Sequence, residues 1–311
     1  PTRPWVTYSW NGSLYGIWPS SPQVPGVTFF PANKLEVAAK CIVTRIVDTL
    51  TYVYTWSSKS TSEQEMTRFA FRGLTSTFKS IHPDGWNSSG KWLDIPFADW
   101  FTDPFSRESN VRPGQMLSGF NILSKGLPTI AIFYVQGFRP QVDPETGNQP
   151  TVQQLRNDLF MNSFRGFSIG PSYPPDPFIP VIFLDTLLSY TRQSAELGWL
   201  GRDRDNDCDN DEIPDDGIVR NVEQRLKKAK KQLERGDSVF ARRELEKLVS
   251  KVERLWKRSQ DDEKKNKRDR WEKRDKVVMT SEAYALLKYN TEYLIDRLPD
   301  RKPEKGSKDR D

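Results

Sequence analysis

Between Asp203 and Asp216 the chain reads Asp-Arg-Asp-Asn-Asp-Cys-Asp-Asn-Asp-Glu-Ile-Pro-Asp-Asp, seven aspartates in fourteen positions. So much like charge in one short loop repels itself unless a hard cation sits among the oxygens. Alternate spacing turns successive carboxylates toward a common centre when the backbone curls, as calcium loops require. The run also falls where composition changes abruptly. Of residues 201–311, 58 are charged, against 31 of the first 200, while seven of the ten tryptophans precede residue 101. That partition predicts an aromatic β domain followed by a solvated helical one. The chain is long enough for a core in each.

Two loop registers place the ion differently. Starting at Asp205, the ligands are Asp205, Asp207, Asp209 and Asp211, with Asn210 at the turn and Asp216 in the twelfth position. Starting at Asp207, they are Asp207, Asp209, Asp211 and Asp215. Asparagine tolerates the left-handed backbone wanted at the sixth position, which leans toward the first register. The competing reading is an acidic linker without metal. Extracellular calcium modules bind at roughly 10⁻⁴–10⁻³ M, so Ca2+ here would brace domains rather than signal.

Before this loop the pattern is that of strands. Residues 1–30 form a Trp- and Pro-rich segment with strand-like pieces such as Trp5 to Trp10, suited to donation to a neighbouring sheet edge. Residues 31–140 read as an antiparallel β-sandwich. Glu36 to Val47 is largely apolar, and Leu50, Tyr52, Tyr54 and Trp56 alternate with Thr51, Val53 and Thr55. Met66 to Phe71, Met116 to Leu123 and Pro128 to Val135 are further strands, the last two joined by a hairpin-like Ser124-Lys-Gly-Leu link. Residues 141–181 are a Pro-rich connection. Residues 182–201 turn helical, with Gly201 as the stop.

Residues 218–298 read as a small helical bundle. Ile218, Val222, Leu226, Ala229 and Leu233 form one apolar stripe; Ala241, Leu245, Leu248, Val252 and Leu255 form the next. Arg235-Gly236-Asp237 ends the first helix and caps the second, and Thr280-Ser281-Glu282 opens a third. The charged stretch 257–278 lacks apolar periodicity and reads as a solvated loop or a helix extension. Residues 299–311 are a charged tail.

Gly217 through Asp237, Ala241 through Val252, and Thr280 through Ile295 resemble the FIMAH-type helical module of secreted bacterial proteins, with Phe183-Leu-Asp-Thr-Leu-Leu as its leading helix. The 257–278 insertion departs from that pattern. The acidic run is similar to thrombospondin type 3 and dockerin-like repeats, with Glu212 in place of their turn glycine. Arg112-Pro-Gly-Gln-Met-Leu-Ser-Gly-Phe with Gly126-Leu-Pro resembles the β-sandwich of uncharacterised secreted bacterial proteins. The resemblance implies a secreted accessory or surface module with no known catalytic residues.

Function classes narrow further. A net charge of +5 with interleaved signs argues against nucleic acid as a partner. No apolar run reaches the length of a membrane span. Pro1 in place of an initiator methionine fits a mature secreted chain, though an arbitrary cut reads the same. Cys41 and Cys208 are candidates for one disulfide in an oxidising compartment, with two thiols as the alternative. The single histidine, His82, lies in a turn composition, and Asp99 and Asp103 around Trp100 are a weak glycosidase pair. Trp5, Trp10 and Trp18, with Trp86, Trp92 and Trp100, are candidates to stack on sugar rings; core packing competes for the same side chains. The expectation is therefore a non-enzymatic, extracellular, calcium-braced structural or adhesive protein. Self-association is expected, as a homo-oligomer or as a filament built by strand exchange, with a carbohydrate-binding module as the alternative.

Overall fold

The computed structural model describes residues 6–10, 13–17, 33–74, 76–92, 95–103, 107–138, 159–202, 217–266 and 277–299. The chain divides into two compact units, Pro1–Lys125 with Ala131–Gly170, and Gly126–Ile130 with Pro171–Asp311. The first is an antiparallel β-sandwich and the second a helical bundle.

The β unit begins with β1 (Val6–Trp10) and β2 (Ser13–Ile17), paired antiparallel as a two-stranded sheet of their own. Trp10 faces Ser13 across the register, so only Asn11 and Gly12 separate the strands, a dipeptide suited to a two-residue hairpin.

One sheet of the sandwich has the order β3 (Val37–Ile46), β4 (Thr49–Ser58), β9 (Met116–Ser124), β6 (Phe78–Ile81). The other runs β11 (Phe164–Ser172), β10 (Leu127–Gly137), β5 (Met66–Arg72), β8 (Ile95–Thr102), β7 (Trp86–Trp92). In β4 the alternation is realised residue by residue, with Leu50, Tyr52, Tyr54 and Trp56 buried and the threonines between them half-exposed. These aromatics meet the facing sheet. The Trp56 ring stacks on Phe69 at 4.5 Å, and Phe133 meets Trp56 edge-on at 5.0 Å. Phe120 stands edge-on to Trp86 at 4.9 Å. Ring pairs of this kind add to area burial, so the core is held by aromatic contacts across the two sheets. The Tyr54 hydroxyl, its ionisation pushed well up by burial, donates to the Ile169 carbonyl at 3.0 Å.

Two local features break the regular ladder. Gly119, with φ of 101°, is the extra residue where β9 slips against β4, a bulge that glycine alone adopts without penalty. Val47, in the two-residue turn between β3 and β4, is held at φ of 55° although it is β-branched. That backbone costs about 1–2 kcal/mol in an L-residue.

Ser124–Leu127 does not close a hairpin. It carries the chain from β9 in one sheet to β10 in the other. Leu127 instead joins the helical core, and the Pro128 carbonyl accepts from Asn290 Nδ2 at 2.9 Å. β11 and a helical turn at 159–162 also lie in the stretch that proline content marks as connection. Leu159 and Phe160 of that turn cover Ala70 and Tyr134, which buries β5 on both faces.

The helical unit comprises α1 (Pro180–Glu196), β12 (Leu200–Arg202), α2 (Gly217–Glu234), α3 (Ser238–Asn266), β13 (Val277–Met279) and α4 (Ser281–Ile295). Leu184, Leu187, Val222, Leu226, Leu245, Leu248, Ala283 and Leu287 share one buried cluster. At the α2–α3 junction Gly236 takes φ of 77°, and Asp237 Oδ1 accepts from Phe240 N at 3.1 Å. Thr280 caps α4 through Ala283 N. α1 stops before Gly201: Gly198 takes φ of 68° and Trp199 N closes back onto the Ser194 carbonyl at 2.7 Å. The early stop frees Leu200–Arg202 to pair with β13. No described helix is long and apolar enough to cross a membrane.

Candidate functional site

The candidate calcium ligands Asp205, Asp207, Asp209, Asp211, Asp215 and Asp216 lie outside the described residues, as do Cys208, Trp5 and Trp18. Their anchors are described. The acidic run leaves β12 after Arg202 and enters α2 at Gly217. β12 pairs antiparallel with β13 through Leu200↔Met279, Gly201↔Val278 and Arg202↔Val277. Leu200 and Met279 are buried in the helical core, Thr280 N donates to the Trp199 carbonyl at 2.8 Å, and Met279 N donates to Ser259 Oγ at 3.1 Å. The run is thus tied to a packed strand at one end and to a helix N-terminus, with its partial positive charge, at the other. The Arg202↔Val277 pair joins positions 75 apart in the chain, a pairing that sequence periodicity does not carry. Among the described residues no cluster of three or more His, Cys, Asp or Glu suits a metal.

Other residues singled out by type have different surroundings. Trp86 and Trp100 are buried in the sandwich, which removes them from the sugar-stacking set. Trp92 and Trp10 belong to β7 and β1. Asp99 is buried on the outer side of β8, with both oxygens accepting from Arg68, Nε at 2.9 Å and Nη2 at 2.6 Å. Its role in the fold is that of an ion-pair partner. His82 is exposed, its ring nitrogen 3.2 Å from the Pro83 carbonyl. Cys41 is buried in β3, directly opposite Tyr54.

A second charged locus was not legible as a site in the sequence. Glu244 sits beside Leu245 on the buried side of α3, its side chain 3% exposed, between Arg225 and Lys228 of α2 and Lys247 of α3. The Lys247 hydrogen bond, helped by Lys228, holds its carboxyl below the usual glutamate range despite burial. The signal available was a carboxylate three positions after Ala241, on the edge of an otherwise apolar stripe.

No family model matches the chain, and no curated protein matches it. Among solved structures, it is similar at 15% identity to an uncharacterised protein from Nocardia farcinica described as having an immunoglobulin-like fold. That match covers 37% of this chain and 90% of the other, with a TM-score of 0.24. So low a score adds nothing to the fold, which rests on the strand order and core given above.

Proposed function

We propose that this is a non-enzymatic extracellular structural or adhesive protein in which Ca2+, held by the acidic run, braces the start of the helical unit. The observation that carries the reading is the run itself, alternating aspartates spanning from β12 to the first residue of α2. Carboxylates concentrated between two fixed ends repel until a cation is bound, so the metal contributes stability in proportion to its occupancy. At calcium concentrations 10 to 100 times a millimolar-range dissociation constant, mass action gives about 1.4–2.7 kcal/mol. The melting temperature of the helical unit is therefore expected to rise by roughly 3–6 °C in calcium over chelator. Asp207→Asn/Asp209→Asn/Asp211→Asn should abolish the shift. Calorimetric titration that finds no calcium uptake, with melting unchanged by chelator, sinks the proposal.

The same reading makes the protein a repeating subunit, a homo-oligomer or filament at the cell surface. The β1–β2 hairpin supports it: a two-stranded sheet is marginal on its own, and each strand pairs on one side alone among the described residues. Sedimentation velocity should show concentration-dependent assembly that is lost when residues 1–20 are deleted. Identical sedimentation of the two proteins counts against strand exchange.

A carbohydrate-binding module is the second reading, favoured by the aromatic density of the hairpin, where Tyr8 lies opposite Tyr15 and Trp10 ends β1. Trp5, Trp10 and Trp18 would supply the stacking faces.

A further inference from the structure

Several cations of the helical unit pair closely with carboxylates. Lys230 pairs with Asp185, Arg192 and Lys227 with Glu223, Arg242 with Glu246, and Lys288 with Glu253 and Glu292. The seam between α2 and α3 gathers five cations around a single buried carboxylate, Glu244. On α2, Asn221, Arg225 and Lys228 are spaced four and three apart, so they line one side of the helix. On α3, Glu244, Lys247, Lys251 and Arg254 are spaced three, four and three.

The two lines face each other. Glu244 lies 3.5 Å from Arg225 Nη1, 3.4 Å from Lys228 Nζ and 2.9 Å from Lys247 Nζ. Lys251 Nζ donates to the Asn221 amide oxygen, a neutral partner, and Arg254 Nε donates to the Ser250 carbonyl. Three cations thus share Glu244 and two more hold neutral partners, over the ten helical steps from Glu244 to Arg254, a length of about 15 Å. Two further observations report the excess. Arg225 Nε is buried with no acceptor among the described residues. Burial, and then the Arg225 and Arg254 charges, pull the Lys251 ammonium below the ordinary lysine value.

We propose that the α2–α3 seam binds a linear acidic polysaccharide, its sugar carboxylates meeting Lys228, then Arg225 and Lys247, then Lys251 and Arg254. A row of cations one helical turn apart, too long for a single oxyanion, suits a polymer with charge at regular intervals. Nucleic acid fits less well. Single strands want open aromatic faces for stacking, whereas the Phe240 ring beside the seam lies under Lys228 Nζ at 5.2 Å. Glu244 at the Lys228 end of the row also limits the one-sign field that a phosphate backbone favours.

The inference is independent of calcium, and its test is run in chelator. The full chain is titrated with polygalacturonate at about 50 mM salt, where exposed charges are least screened. Lys228→Gln/Lys247→Gln/Lys251→Gln should weaken binding at least tenfold. Lys59→Gln/Lys79→Gln/Lys125→Gln, the same change in net charge on exposed lysines of the β unit, should weaken it less than threefold. Neutral dextran should not bind. Both triples must keep the parent circular-dichroism melt; a seam triple that does not is replaced by Lys251→Gln alone, expected to weaken binding about threefold. Absence of polygalacturonate binding, or equal loss in the two triples, overturns the seam. An oligothymidylate that binds more tightly than polygalacturonate overturns the choice of a glycan.

Discussion

Trp56→Ala is expected to destabilise the β unit by about 3–5 kcal/mol, whereas Trp56→Phe should change its stability by less than about 1 kcal/mol. The contrast follows from what surrounds the indole. Trp56 is fully buried, stacked on Phe69 at 4.5 Å, tilted against Phe71 at 5.9 Å and edge-on to Phe133 at 5.0 Å. Truncation to alanine leaves a cavity bordered by rings that cannot all collapse into it. Yet its Nε1–H is buried with no acceptor among the described residues, a desolvation cost of about 1–3 kcal/mol. Phenylalanine keeps most of the ring contact and removes that N–H, so loss and relief nearly offset. Chemical denaturation read by near-ultraviolet circular dichroism separates the variants. A Trp56→Phe protein as unstable as Trp56→Ala would mean the indole N–H has an acceptor after all.

How much of this was legible in the sequence depends on how many faces each element buries. β4 announces itself because one side is core and the other half-exposed, giving strict period two from Leu50 to Trp56. β5 is covered on its outer side by the 159–162 turn, so Phe69, Ala70 and Phe71 are buried in a row and the alternation fades. β11 carries Gly166 and Gly170 and reads as loop. The glycines are there for space: a Cβ at 166 would lie 2.4 Å from the Phe133 ring, and one at 170 would lie 2.5 Å from Leu74. Helices α2, α3 and α4 were clear because their stripes and caps are local chemistry, as at Gly236, Asp237 and Thr280. β12 and β13 are three residues each and far apart in the chain, so nothing local marks them. The acidic run gives its donor chemistry in the sequence alone. The α2–α3 seam does not, because its cations alternate with acids along each helix and converge only when the helices pair.

Asp99→Ala is expected to cost about 3 kcal/mol, and an Arg68→Met/Asp99→Ala double variant should recover most of it. Asp99 belongs to β8, where register sets it opposite Ala70 and one diagonal step from Arg68 on β5. Its carboxylate accepts both the Nε and Nη2 donors of that guanidinium, at 2.9 and 2.6 Å, and its side chain is only 2% exposed. Removing it takes the bidentate partner from a guanidinium whose side chain is itself only 21% exposed. Breaking one member of a buried pair typically costs about 3–5 kcal/mol. Partial solvation of Arg68 places this case at the lower end. Replacing the cation by methionine, similar in length and apolar, removes the uncompensated charge, and such replacements are often neutral or stabilising. Arg68→Met alone also leaves a buried carboxylate without its bidentate partner, so the coupling energy from the four-protein cycle is expected to be at least about 2 kcal/mol, beyond the additivity limit for independent sites. A coupling near zero would show that Arg68 reaches solvent when Asp99 is absent, and that the pair orients β8 on β5 without stabilising it.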